Sequence, residues 1–98
     1  MAGLTHAEIM SALATMQHWG FESGELSLRF RFRDFTDAFG FVAQAAALQH
    51  EAKHYGRVIH EGPIVMIDLW SDVDGPINEV DIDLARKLSE RASRALEL

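Results

Sequence analysis

Five histidines carry most of the chemistry this sequence can offer. His50 and His54 stand four apart, a spacing that puts two imidazoles on one helix face and can hold a metal. Glu51 gives His50-Glu51-Ala52-Lys53-His54 the letters of HExxH, but no third ligand is evident in sequence, so the spacing reads as two ordinary helix imidazoles. Cysteine is absent, which excludes thiolate metal sites, disulfide scaffolds and cysteine nucleophiles. Ser71 sits in no nucleophile-elbow context, and Gly62-Pro63 and Gly75-Pro76 read as turns rather than phosphate cradles. Trp70 falls on the outer face of a strand, as packing for a partner or as the wall of a ligand site.

The elements that must position these residues follow from periodicity. Thr5-His6-Ala7-Glu8 has capping-box form, and Ile9, Met10, Leu13 and Met16 recur at helical spacing, predicting a helix from residue 6 to about 17. Ser23-Gly24-Glu25 reads as a turn. Leu26, Leu28, Phe30 and Phe32 alternate with Ser27, Arg29, Arg31 and Arg33, which predicts a strand with its arginines in water. Phe35 to His54 reads as the longest helix, with Thr36 as N-cap and Gly56 as the C-terminal cap. Phe35, Phe39, Val42, Ala46 and Gln49 share a stripe of it, and Ala43, Ala45 and Ala47 keep the rest small enough for close helix approach. Arg57–His60 and Ile64–Trp70 read as strands joined by the Glu61-Gly62-Pro63 turn. Val73 to Pro76 reads as a loop. Asn78 is the expected N-cap of a last helix, with Asp81 at the box position and an apolar stripe of Val80, Leu84, Leu88, Ala92 and Ala95.

Helix, two strands, helix, two strands, helix makes an α+β domain: a four-stranded antiparallel sheet with three helices on one face. At 98 residues the chain is expected to be one domain, residues 1–98, with a modest core. Its sheet edges need covering, so we expect a homo-oligomer, dimer or tetramer, formed through a sheet edge and the long helix. With 48% apolar and 24% charged residues the composition is globular. No run is apolar for the roughly 20 residues a membrane span needs, and Met1–Leu13 lacks signal-peptide form, so the expected location is the cytoplasm. The net charge of −6, from 15 acids against nine bases, disfavours direct nucleic-acid binding. The acids cluster: Asp68, Asp72, Asp74, Glu79, Asp81 and Asp83 follow one another with no base between, ordinarily a solvated face.

From Phe30 to Ala85 the sequence resembles the pterin-4a-carbinolamine dehydratase family, also known as a dimerisation cofactor of a homeodomain transcription factor. The resemblance rests on Phe30-Arg31-Phe32-Arg33-Asp34-Phe35-Thr36-Asp37-Ala38-Phe39-Gly40-Phe41, an FxFxxFxxAFxF pattern, then Ala47-Leu48-Gln49, Val65-Met66-Ile67-Asp68-Leu69 and Asp81-Ile82-Asp83-Leu84-Ala85. It implies dehydration of 4a-hydroxytetrahydropterins to quinonoid dihydropterins, a pterin ligand, and no metal or organic cofactor. Such a dehydration takes a proton from a ring nitrogen and gives one to the leaving hydroxyl, work suited to imidazoles.

The resemblance also implies a His-His-Pro element after the long helix and a Thr-His or Ser-His pair at the end of the last strand. Position by position, the first histidine falls on His54, the second on Tyr55, the proline on Gly56 and a following aromatic on Val58. The strand-end pair falls on Ser71 and Asp72, and an aspartate at the start of the last helix is kept as Asp81. One of three site imidazoles remains. One expectation is therefore a binding or assembly module on the dehydratase fold, with a protein partner, as in dehydratase-like Rubisco assembly factors. The alternative is an active lyase, on a pterin or another carbinolamine, with His54 and Asp72 as acid and base. Tyr55 would then bond the ring, and Ser71, Trp70, His60 and Asp81 would contact the substrate.

Overall fold

Leu26, Leu28 and Phe30 turn to one side of their strand while Ser27, Arg29 and Arg31 turn to the other, and the architecture is built on that alternation. The computed structural model describes residues 3–16, 18–70 and 76–96. The elements run α1 (His6–Leu13), β1 (Trp19–Glu22), β2 (Glu25–Arg31), α2 (Phe35–Ala52), β3 (Arg57–Glu61), β4 (Ile64–Leu69) and α3 (Glu79–Leu96). The four strands form one antiparallel sheet in the order β1-β2-β4-β3, so β1 and β3 are its edges. Leu26 pairs with Leu69, Leu28 with Ile67 and Phe30 with Val65, which aligns the apolar side chains of β2 and β4 on one face. All three helices contribute to the core on that face: Ile9 and Leu13 from α1, Ala38, Phe41, Ala45 and Leu48 from α2, and Ile82, Leu84, Ala85, Leu88 and Ala92 from α3. The Phe30 and Phe41 rings meet edge-on at 5.7 Å and 87°, a favoured aromatic geometry.

Both hairpins use the chemistry their turns demand. Ser23 and Gly24 take φ of 54° and 78°, the two positive values that a tight two-residue hairpin with matching twist requires. Gly62 supplies the positive φ (57°) of the β3–β4 turn. At the start of α1 the Thr5 hydroxyl accepts the Glu8 amide (3.1 Å) and Glu8 accepts the Thr5 amide (2.9 Å), completing the expected capping box. That amide, with the Thr5 hydroxyl, holds the Glu8 carboxyl below its usual range.

Several boundaries differ from expectation, each for a local reason. The first helix stops at Leu13 rather than near residue 17, and Thr15 and Met16 donate to Ala12 and Leu13 in a tightened last turn. The N-cap of α2 is Asp34, not Thr36: its carboxylate accepts the Asp37 amide at 2.8 Å. The α2 stripe of Phe35, Phe39, Val42 and Ala46 turns largely away from the core, with only Val42 of these partly packed against it. Phe35 and Phe39 are 59% and 58% exposed, and of that stripe only Gln49 is buried. The core face carries Ala38 and Ala45 instead, small enough to let α2 lie close on its neighbours. Val80 is likewise exposed, while Leu84, Leu88 and Ala92 are buried as expected and the Ala95 side chain lies outside the described residues. So does 71–75, which includes the expected loop from Val73. No helix among the described residues is long and apolar enough to cross a membrane.

Gly56 lies against β4 rather than capping α2. A Cβ there would overlap the Asp68 carbonyl oxygen and stand 2.7 Å from Leu69 Cδ2, whereas a Cβ at Gly40, in mid-α2, meets nothing within 4 Å. Gly40→Ala is therefore expected to stabilise the fold by up to about 1 kcal/mol. Gly56→Ala is expected to destabilise it by about 2 kcal/mol through overpacking. Urea denaturation of the two variants beside wild type measures both signs.

Candidate functional site

α2 ends on a left-handed residue that is not glycine. Lys53 takes φ 53° and ψ 39°, its amide donates to the His50 carbonyl, and the His54 amide reaches back to the Gln49 carbonyl at 3.0 Å. This is a Schellman closure built on lysine, at a cost of about 1 kcal/mol in backbone conformation. It throws the chain out of the helix one residue before His54, so His50 and His54 do not continue one helical face.

The two imidazoles go to different partners. His54 turns inward, its side chain 16% exposed, and Nε2 contacts Oδ1 of Asp81, whose side chain is 1% exposed. Neither of these two buried atoms has another polar partner among the described residues. The other carboxylate oxygen of Asp81 accepts the Asn78 amide at 2.9 Å, and Asn78 Oδ1 accepts the Val80 amide at 2.8 Å. Asp81 thus caps α3 with one oxygen and holds His54 with the other. His50 Nδ1 lies 2.9 Å from the Tyr55 hydroxyl, at the surface. No cluster of three or more metal-ligating side chains occurs among the described residues.

The remaining expected site residues scatter. Tyr55 follows His54 in the chain but is 59% exposed and turned to His50. Trp70 lies under the Arg57 guanidinium, 5.6 Å from its ring centroid. Arg57 is also bound to Asp68 at 2.8 and 3.1 Å, and that hydrogen bond and charge raise its pKa above the usual range. His60 does not join His54. Its ring packs 4.5 Å from Phe35, at the first turn of α2, and Nε2 lies 2.8 Å from the Gly62 carbonyl. An 18-residue helix spans about 27 Å, and the two histidines lie toward its opposite ends. Ser71 and Asp72 lie outside the described residues. Of the expected set, the structure brings together His54 and Asp81.

Gln49 was not expected at the site. It is buried at 3%, its Oε1 accepts the Gly56 amide at 2.6 Å, and its Nε2 donates to the Ala45 carbonyl at 3.3 Å. Its signal in the sequence is weak: one of two glutamines on an alanine-rich helix, just before the segment with the chemistry.

A buried carboxylate on one ring nitrogen calls for a proton on Nε2. The site can orient one imidazole and exchange one proton through it. This pair sits where the sequence matches the model of the pterin 4 alpha carbinolamine dehydratase family, which covers residues 2–91. The chain belongs to the pterin-4a-carbinolamine dehydratase family. It is 32% identical over 88 residues to a candidate pterin-4-alpha-carbinolamine dehydratase of Brucella ovis, covering 88% of this chain and 91% of that one, and equally so to its counterpart in Brucella melitensis. A solved transcriptional coactivator/pterin dehydratase from Brucella melitensis superposes with a TM-score of 0.84 at 32% identity, over 92% of this chain and 98% of the other. A pterin dehydratase-like protein identified as a RuBisCO assembly factor in the alpha-carboxysome shares the fold at a TM-score of 0.63 and 21% identity, over 76% and 86% of the two chains.

Removing the Asp81 carboxylate strips the Asn78 amide and the His54 ring of their partner together. Asp81→Ala is expected to cost about 3 kcal/mol, the scale for breaking a buried pair. Asp81→Asn keeps an acceptor for the Asn78 amide and is expected to cost about 1 kcal/mol. Chemical denaturation at neutral pH measures both.

Proposed function

We propose that this member of the dehydratase family works as a binding or assembly module rather than as an ordinary pterin dehydratase. The observation that carries this reading is the closure of His54 onto Asp81. The one imidazole kept at the family's histidine positions commits Nε2 to a carboxylate with almost no exposure. The neighbouring position is a tyrosine turned outward to His50, and the next has no side chain. Dehydration of a carbinolamine needs a proton removed at one place and delivered at another, and among the described residues no second imidazole is turned to His54. The partner is a protein. The RuBisCO assembly factor shares the fold alone, so it does not name that partner.

The module is a homo-oligomer in this reading, and α2 is its surface. Phe35 and Phe39 stack with planes 5° apart and stand exposed at the N-terminal end of α2, while Ala43, Ala46 and Ala47 are exposed further along. Bulk at one end and small residues at the other make the stripe self-complementary. Two antiparallel copies related by a two-fold axis place each pair of rings over the other's alanines.

A second reading is favoured by the same pair. A carboxylate that fixes an imidazole in one tautomer is also how a catalytic histidine is held. In that case the chain is a lyase using His54 Nδ1, with Asp72 as its partner. One assay separates the two. With a 4a-hydroxytetrahydropterin, the purified protein is expected to give no dehydration above the spontaneous rate. Saturable turnover that falls by about 100-fold or more in His54→Ala would establish the lyase and remove the module reading.

Oligomerisation is tested separately. Light scattering at micromolar concentration is expected to give a dimer or larger for wild type and a smaller particle for Phe39→Glu, with circular dichroism unchanged. A wild-type monomer would refute it.

A further inference from the structure

Two polar side chains are buried in the described structure, Gln49 and Asp81, and both are spent on the same short segment. Asp81 meets the ring of His54. Gln49 takes the chain on either side of it: its backbone carbonyl accepts the His54 amide at 3.0 Å, and its side-chain carbonyl accepts the Gly56 amide at 2.6 Å. Burying an amide is unfavourable unless it is bonded, and Gln49 is bonded at both ends, its NH2 donating to the Ala45 carbonyl one turn back in α2. The Gly56 amide is accounted for by this bond. Without it a part-buried backbone donor would be left open, with the chain pressed between α2 and the Asp68 carbonyl.

We infer that Gln49 is the positioning residue of the site: its side chain fixes the His54–Gly56 segment so that the His54 ring meets Asp81 through Nε2. The role is the same whether the site takes a pterin or a protein, so it stands apart from the functional reading above. Ordinary core packing would ask only that Gln49 fill its volume. Positioning asks for the acceptor oxygen.

Three forms of the protein distinguish these roles: wild type, Gln49→Leu, which keeps the bulk without the acceptor, and Gln49→Glu, which keeps the acceptor oxygen. The readout is the pair of His54 ring-nitrogen resonances in long-range nitrogen–proton NMR spectra, which report the tautomer, with thermal unfolding followed in parallel. Wild type is expected to show His54 with its proton on Nε2. Gln49→Leu is expected to lose that single pattern and become a mixture of tautomers while still folded, and Gln49→Glu to retain it. A folded Gln49→Leu protein that is less stable but keeps the wild-type His54 pattern would overturn the inference. Loss of the pattern in both variants alike would assign the effect to packing and overturn it equally. If Gln49→Leu does not fold, amide exchange on wild type decides. The Gly56 amide is expected to exchange at least about 100-fold more slowly than an exposed loop amide, and free exchange there would refute the bond on which positioning depends.

Discussion

Asp81 is shut off from bulk solvent. Its carboxylate is enclosed by the fold and must be satisfied from within, because an unpaired charge in that position would be more costly than most single interactions in a domain of this size can offset. It divides its two oxygens between the Asn78 amide, which begins α3, and the His54 ring, which follows the end of α2. The two longest helices are therefore tied at one point. The sheet feels the same tie, because Gly56, two residues after His54, lies against the β4 backbone just before β3 starts.

From that point the order of elements acquires a reason. β3 pairs with β4 from Arg57 against Asp68, so the segment that holds His54 is one residue away from the first rung of the ladder. The Arg57 guanidinium binds the Asp68 carboxylate, while the Asp68 carbonyl leaves no space for a side chain at Gly56. A shift of the segment in either direction would meet the β4 backbone on one side or break the Gln49 bond on the other. The imidazole is held by backbone geometry first and by its own contact second.

The strands β2, β3 and β4 and the first turns of α1 and α3 were legible because each is written locally. The alternation from Leu26 to Phe32 fixes which side chains face the helices, and Thr5-Glu8 and Asn78-Asp81 place their acceptors at the spacing a first turn requires. The face of α2 was not legible. Apolar and small residues run almost all round that helix, so the pattern supports an outward Phe35–Phe39 stripe as well as an inward one, and tertiary packing on Ala38 and Ala45 decides. The exit of α2 was misread because glycine is the cheapest left-handed residue and Gly56 was available, yet Lys53 takes that conformation three residues earlier. His60 is near His54 in sequence but pairs along β3, and an extended strand carries it away from the loop quickly. The His54–Asp81 contact joins residues 27 apart, and no local rule reaches that far; only the resemblance to a family sets the two in one site.

The resemblance to the dehydratase family sets a proline against Gly56, and the two residues would hold this segment in different ways. A proline holds its φ by covalent closure and has no amide hydrogen to give. Glycine gives up that rigidity but gains a donor, and here the donor is used: the Gly56 amide closes on Gln49. Rigidity that a proline would supply within the chain is supplied here by a buried side chain of α2. The lack of a Cβ at Gly56 also admits the segment to a closer approach on β4 than any other residue would allow. Tyr55 meets His50 at the surface, and His54 is the inward group of the two. The described site is therefore organised around one held imidazole: Asp81 contacts its ring, and Gln49 holds the backbone on both sides of it.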